Sequence, residues 1–157
     1  MHIAVLEAPR KFVIKDFPLP VPGSEELLIR VKACGVCHSE MAVWDGSAGS
    51  SYPLYLGHEV SGIVEKTGPM VQKFSPGDRV AIYTDGKGYA EYLTIPARNA
   101  IRLAEHVSFE EAMGEPIACV VNAINRMNIG LGDTVVLIGV GFMGLIMTQL
   151  VRLQGAG

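Results

Sequence analysis

Residues 134–151 run for 18 positions without a charged side chain, and two architectures compete for such a stretch. Eighteen apolar residues reach the lower edge of what a membrane-spanning helix needs. The internal order favours the other architecture. A β-branched run at 135–138 ends in GVGFMG, and a helix-compatible stretch follows with Arg152 near its end. A spanning helix has no use for a β-branched run closed by a Gly-x-Gly turn, and Thr148 and Gln149 would sit in lipid. The pattern predicts strand, glycine turn and helix, with no membrane span.

Gly139, Gly141 and Gly144 complete a G-x-G-x-x-G. The first glycine of such a turn permits the sharp bend, the second lets backbone amides approach a pyrophosphate, and the third lets helix and strand pack closely. The helix start adds unpaired N–H groups that favour an anion. Gly139, Val140, Gly141, Phe142, Met143 and Gly144 are therefore the candidate cofactor-phosphate loop. The acidic residue that holds a ribose in such sites belongs about 20 residues further on, past Gly157. One strand and one helix cannot bury a parallel strand either. Residues 126–157 read as the truncated start of a dinucleotide-binding domain.

The first 125 residues follow a different period. In ELLIRVKA, Leu27, Ile29 and Val31 alternate with Leu28, Arg30 and Lys32, as a half-buried strand requires. Similar short strands are expected at 2–7, 12–15, 59–65, 78–83 and 90–95, separated by proline and glycine breaks typical of a barrel or sandwich. Ser108 with Glu111 forms a capping-box pattern, and 112–128 is rich in helix formers, although Gly114 and Pro116 predict a helix in two pieces. The expected fold is mostly β, and an apolar share of 49% suffices for a packed core. The 13 basic residues do not outnumber the 16 acidic ones, so nucleic acid is excluded as a partner. No secretory leader precedes the first strand, which makes cytoplasm the expected location.

Three cysteines, Cys34, Cys37 and Cys119, are too few and too odd in number for a disulfide frame. Cys37 and His38 open CHSEMAVW, and His58 with Glu59 stands in LGHEVSG. Thiolate, imidazole and carboxylate are the donors zinc prefers, and a catalytic zinc takes three of them plus an open position. Glu115 and Cys119, four apart on a predicted helix, offer a further donor on one face. Spacing by itself favours core packing with a surface imidazole over a metal site.

GHEVSGIVEKTGPMV resembles the zinc signature of the medium-chain dehydrogenase/reductase family, the zinc-dependent alcohol and polyol dehydrogenases, sorbitol-type members included. The resemblance extends through KACGVCHSE, SPGDRVAIY, GYAEYLTIPARNAIRL, EEAMGEPIACVVNAI and GDTVVLIGVGFMGL, and so covers nearly the whole chain. It implies a GroES-like β-barrel over 1–125, then the first β-α unit of a Rossmann domain over 126–157. It also implies a zinc-dependent transfer of hydride between an alcohol or polyol and NAD or NADP, in a protein that is homo-oligomeric at full length. Cys37, His58 and Glu59 match the family's metal positions, with EPIAC favouring Glu115 over Cys119 as the last ligand. Ser39 matches the hydroxyl that begins the proton relay, and His38 a position that contacts the cofactor pyrophosphate in some members. Cys34 matches a buried neighbour. Two positions depart: Glu40 stands where an aspartate is usual, and Ala42 where some members end the relay with a histidine. The lobe that carries a structural zinc is missing between Arg79-Val80 and GYAEYL, so one catalytic zinc and no structural zinc is expected. A non-catalytic zinc-binding barrel and a zinc-free quinone-reductase-like protein are the alternatives.

Overall fold

The computed structural model describes residues Met1–Gly157, which divide into two compact units, Met1–Gly114 and Glu115–Gly157. The helix that follows the strands lies in the second unit from Glu115 on.

The first unit is built from seven strands. β1 (His2–Ala8) and β2 (Lys11–Asp16) form an antiparallel hairpin. β3 (Glu26–Gly35), β4 (Glu59–Thr67), β5 (Arg79–Tyr83), β6 (Tyr92–Pro96) and β7 (Ala100–Arg102) form an antiparallel sheet in the order β6-β3-β4-β5-β7. Bridges from Ile3 to Ala90 and from Leu6 to Leu54 tie the hairpin to the rest. The expected alternation in β3 holds only in part. Leu27, Leu28 and Ile29 are all fully buried, and the pairing with β4 slips by a bulge after Leu28. Leu27, Ile29, Val60, Val64, Val80, Ile82, Leu93 and Ile95 make the core, drawn from β3, β4, β5 and β6.

Two loops leave this sheet. After β3 the chain turns through one 3-10 turn, His38–Glu40, into the short helix α1 (Met41–Asp45). Arg79 fixes the loop after β7, donating to the carbonyls of Ala104, Glu105 and Val107 at 3.0, 2.7 and 2.5 Å. Its guanidinium also lies 4.5 Å from the Phe109 ring centroid.

The second unit holds α2 (Gly114–Arg126, with Gly114 at the junction) and α3 (Phe142–Leu153). α2 is one helix where two pieces were expected. Pro116 sits in its first turn, where the missing N–H would have had no partner in any case. The Ser108–Glu111 capping box does form, with Ser108 Oγ 2.8 Å from the Glu111 carboxylate and Glu111 N 3.2 Å from Ser108 Oγ. It closes a turn ahead of α2 rather than opening the helix itself. Residues 135–138, expected as a strand, form none, and Val136 and Ile138 are 81% and 95% exposed. A parallel strand needs neighbours on both sides, and no other segment of these residues supplies them. No helix is long and apolar enough to cross a membrane.

Candidate metal centre

The register of β3 against β4 creates the site. Gly35 pairs with Glu59 at the end of the ladder, so Cys37, two residues past β3, meets His58, the residue before β4. The Cys37 Sγ, a ring nitrogen of His58 and a Glu59 carboxylate oxygen all lie within 4.8 Å of one another. Zinc bonds of about 2.0–2.3 Å to N, O and S donors span such a separation after small side-chain movements. All three residues are half-buried. Thiolate, imidazole and carboxylate are the donor set that zinc takes, and the residues fit it.

Space for Glu59 comes from a missing side chain. A Cβ at Gly35 would stand 2.1 Å from Glu59 Oε2, so the carboxylate occupies the volume that any other residue would fill.

Glu40 lies behind the imidazole and is only 7% exposed. Its Oε1 lies 3.2 Å from His58 Nδ1 and accepts the Gly57 N–H at 2.7 Å, while Oε2 accepts the Tyr89 hydroxyl at 2.5 Å. A carboxylate at Nδ1 selects the tautomer with the proton on that nitrogen and leaves Nε2 free to bind a metal. Glu40 therefore makes the contact to His58 despite the extra methylene it carries relative to aspartate.

The remaining candidate positions lie around this core. Ser39 is exposed, with Oγ donating to Cys37 Sγ at 3.2 Å. His38 is exposed in the same turn, and Ala42 is exposed on α1. Cys34 packs against the core, and burial, then the nearby Glu40 carboxylate, pushes its thiol up to about 12. Such a thiol stays protonated, which suits a packing residue and not a redox partner for Cys37. No cysteine forms a disulfide.

Glu115 and Cys119 belong to the second unit, where the Cys119 thiol donates to Glu115 Oε1 at 3.1 Å across one turn of α2. In the glycine loop, Gly139 has φ +97°, and a Cβ at Gly144 would lie 2.1 Å from the Gly139 carbonyl. Gly139 needs glycine for its positive φ, and Gly144 because the Gly139 carbonyl occupies the place a side chain would take. Gly141 caps α3 without a side-chain hydrogen bond. Tyr89 and Gly35 were not singled out by sequence; they sit inside GYAEY and KACGVCHSE, and only the folded geometry shows what they touch.

Residues 23–105 match the alcohol dehydrogenase GroES-like domain. The chain is 30% identical to sorbitol dehydrogenase of Pongo abelii over 185 residues, covering 97% of this chain and 52% of that protein. It is 27% identical to L-galactonate-5-dehydrogenase of Escherichia coli, covering 99% of this chain and 54% of that protein. Among solved structures, one from Sinorhizobium meliloti, described as a zinc-binding dehydrogenase bound to NADP, superposes with a TM-score of 0.83 at 30% identity, over 99% of this chain and 54% of that one. An alcohol dehydrogenase superfamily protein from Novosphingobium aromaticivorans superposes with a TM-score of 0.90 at 25% identity, over 99% and 51%. The chain spans about half the length of the curated relatives it matches.

Proposed function

This chain belongs to the medium-chain dehydrogenase/reductase family, and from that premise we propose that it carries the zinc site of an NAD(P)-dependent alcohol or polyol dehydrogenase. The observation that carries the reading is the convergence of Cys37, His58 and Glu59 on one point, with His58 oriented by a buried carboxylate. Cys37, His58 and Glu59 would hold the ion, and the resemblance implies Glu115 as a further ligand. When bound, zinc would supply the Lewis acidity that lowers an alcohol's pKa, and NAD(P) would supply the hydride acceptor.

The chain's own residues do the rest. Glu40 keeps the His58 proton on Nδ1 and so presents Nε2 to the ion. Ser39 accepts the substrate hydroxyl proton and passes it outward. Ala42 offers no imidazole to end such a relay, so the proton leaves to solvent. The loop from Gly139 to Gly144, with Val140, Gly141, Phe142 and Met143, would bind the cofactor pyrophosphate through backbone N–H groups and the α3 N-terminus, and the resemblance implies a cofactor contact for His38. The support for either nicotinamide comes from relatives: the Sinorhizobium protein holds NADP, and an Escherichia coli alcohol dehydrogenase, 26% identical, holds NADH. One zinc per chain is proposed. In support, the alignment with Pongo abelii sorbitol dehydrogenase runs over 185 residues against a chain of 157, so that relative carries residues this chain lacks within the matched half.

The test is made on the whole polypeptide that contains this sequence. It should bind one zinc and reduce NAD or NADP with an alcohol or polyol, and Cys37→Ser should abolish both. A Cys37→Ser protein that keeps zinc and turnover contradicts the mechanism. A second reading, a zinc-binding module without cofactor affinity, is favoured by one observation: residues 135–138 form no strand. It predicts zinc uptake with no NADH binding. A zinc-free quinone-reductase-like protein predicts no zinc uptake at all.

A further inference from the structure

The Glu40 carboxylate poses a mechanical problem. Glutamate has one more rotatable bond than aspartate, so a carboxylate that must hold an imidazole in one orientation needs more than one anchor. Two of its three partners, Gly57 N and His58 Nδ1, engage the same oxygen, Oε1. The other oxygen, Oε2, is held by the Tyr89 hydroxyl at 2.5 Å.

Tyr89 is itself fixed on several sides. Its carbonyl accepts the Ala4 N–H at 2.8 Å, its N–H reaches the Leu56 carbonyl at 3.2 Å, and its ring meets Phe12 edge-on at 6.1 Å. Gly57, at φ +92°, brings the backbone before His58 so close to Tyr89 that a Cβ there would lie 2.6 Å from Tyr89 N. Tyr89 and Glu40 also line an apolar cavity of about 450 Å³, together with Phe12, Met41, Trp44 and Leu56. A hydrogen bond with apolar surroundings is stronger than one in water. Burial, and then Glu40, hold the Tyr89 phenol above its ordinary pKa, so it remains a donor.

We propose that Tyr89 is a positioning residue of the metal centre: by donating to Glu40 Oε2 it locks the carboxylate whose other oxygen orients the His58 imidazole. This rests on the reading of Cys37, His58 and Glu59 as metal ligands. Tyr89 is not among the metal donors and acts on His58 through Glu40; its hydroxyl also lies 3.4 Å from the Gly35 carbonyl, a longer contact than the 2.5 Å to the carboxylate.

The test uses the 157-residue chain titrated with Zn²⁺ in competition with a chelator, and with Co²⁺ for its visible spectrum. Tyr89→Phe removes the hydroxyl and keeps the ring. It should weaken zinc binding about tenfold, the lower end of what loss of a ligand-orienting partner costs, and shift the cobalt bands. In a Glu40→Gln background the same substitution should cause no comparable further loss, because the line to His58 is already weakened. A packing role alone would give the same loss in both backgrounds and leave the cobalt spectrum unchanged, which overturns the proposal. Unaltered affinity and spectrum in Tyr89→Phe overturn it as well. Wild-type chain that takes up neither metal refutes the metal centre itself and this inference with it. Should Tyr89→Phe fail to fold, Tyr89→Met fills the same space without a hydroxyl and is read against the same outcomes.

Discussion

Gly35→Ala perturbs the metal centre without touching a ligand. The new Cβ would stand 2.1 Å from Glu59 Oε2, whereas ordinary contact begins at 3.4 Å, so the carboxylate must retreat by about 1.3 Å. The tightest contact is to the far end of a flexible side chain, the one to Glu59 Cβ is 3.1 Å and needs a shift of only a few tenths of an ångström, and Gly35 lies in a strand where alanine is at ease. The fold therefore loses little, about 1 kcal/mol, with the restricted unfolded chain offsetting part of the overpacking. Metal bonds tolerate displacements of only about 0.2 Å, so a 1.3 Å retreat takes Glu59 out of the ligand set. Zinc sites with four protein ligands bind with about 10–16 kcal/mol, which apportions about 3 kcal/mol to each ligand, or about a hundredfold in affinity. Chelator competition on the folded chain, with a thermal melt of the metal-free protein as control, measures both quantities. Gly35→Ala and Glu59→Gln should each weaken zinc by about that factor, and the double variant by little more. A Gly35→Ala protein that binds zinc as tightly as wild type refutes Glu59 as a ligand.

Two more outcomes are expected in other parts of the first unit. Ser61 is fully buried and donates to the Phe109 carbonyl at 2.6 Å, so Ser61→Ala should cost about 1–2 kcal/mol in urea unfolding and lower Tm by about 2–8 °C, whereas an unchanged midpoint would show that the bond contributes nothing. Cys34 is raised from 9.0 to about 12 in the folded chain, so the unfolded chain loses this proton first; stability from this group is whole below pH 9 and falls between pH 9 and 12, and Cys34→Ala should flatten that part of the alkaline decline in unfolding midpoint.

Much of this architecture was legible because strands announce themselves by period and punctuation. Five of the expected strands lie within two residues of β1, β2, β4, β5 and β6, since proline and glycine breaks bound each run. β7 escaped because three residues, AIR, carry no period, and their place is set by pairing with β5. Pro116 misled in the other direction, because its effect depends on where in the helix it falls, and α2 begins two residues before it. The 135–138 run has the composition of a strand, yet strand formation is a property of neighbours rather than of the run. At the metal centre, Cys37, His58 and Glu59 were legible through the resemblance, and β3–β4 register explains why they meet. Tyr89 was not, because it reaches Glu40 across 49 residues and nothing local marks a tyrosine hydroxyl that closes such a contact.

The measurement that bears most directly on the central claim is X-ray absorption at the zinc edge of the zinc-loaded chain. The account predicts one zinc with one sulfur at about 2.3 Å and nitrogen or oxygen donors at about 2.0–2.2 Å, with the sulfur shell gone in Cys37→Ser. A zinc bound by nitrogen and oxygen alone, or a sulfur shell that survives Cys37→Ser, would contradict it.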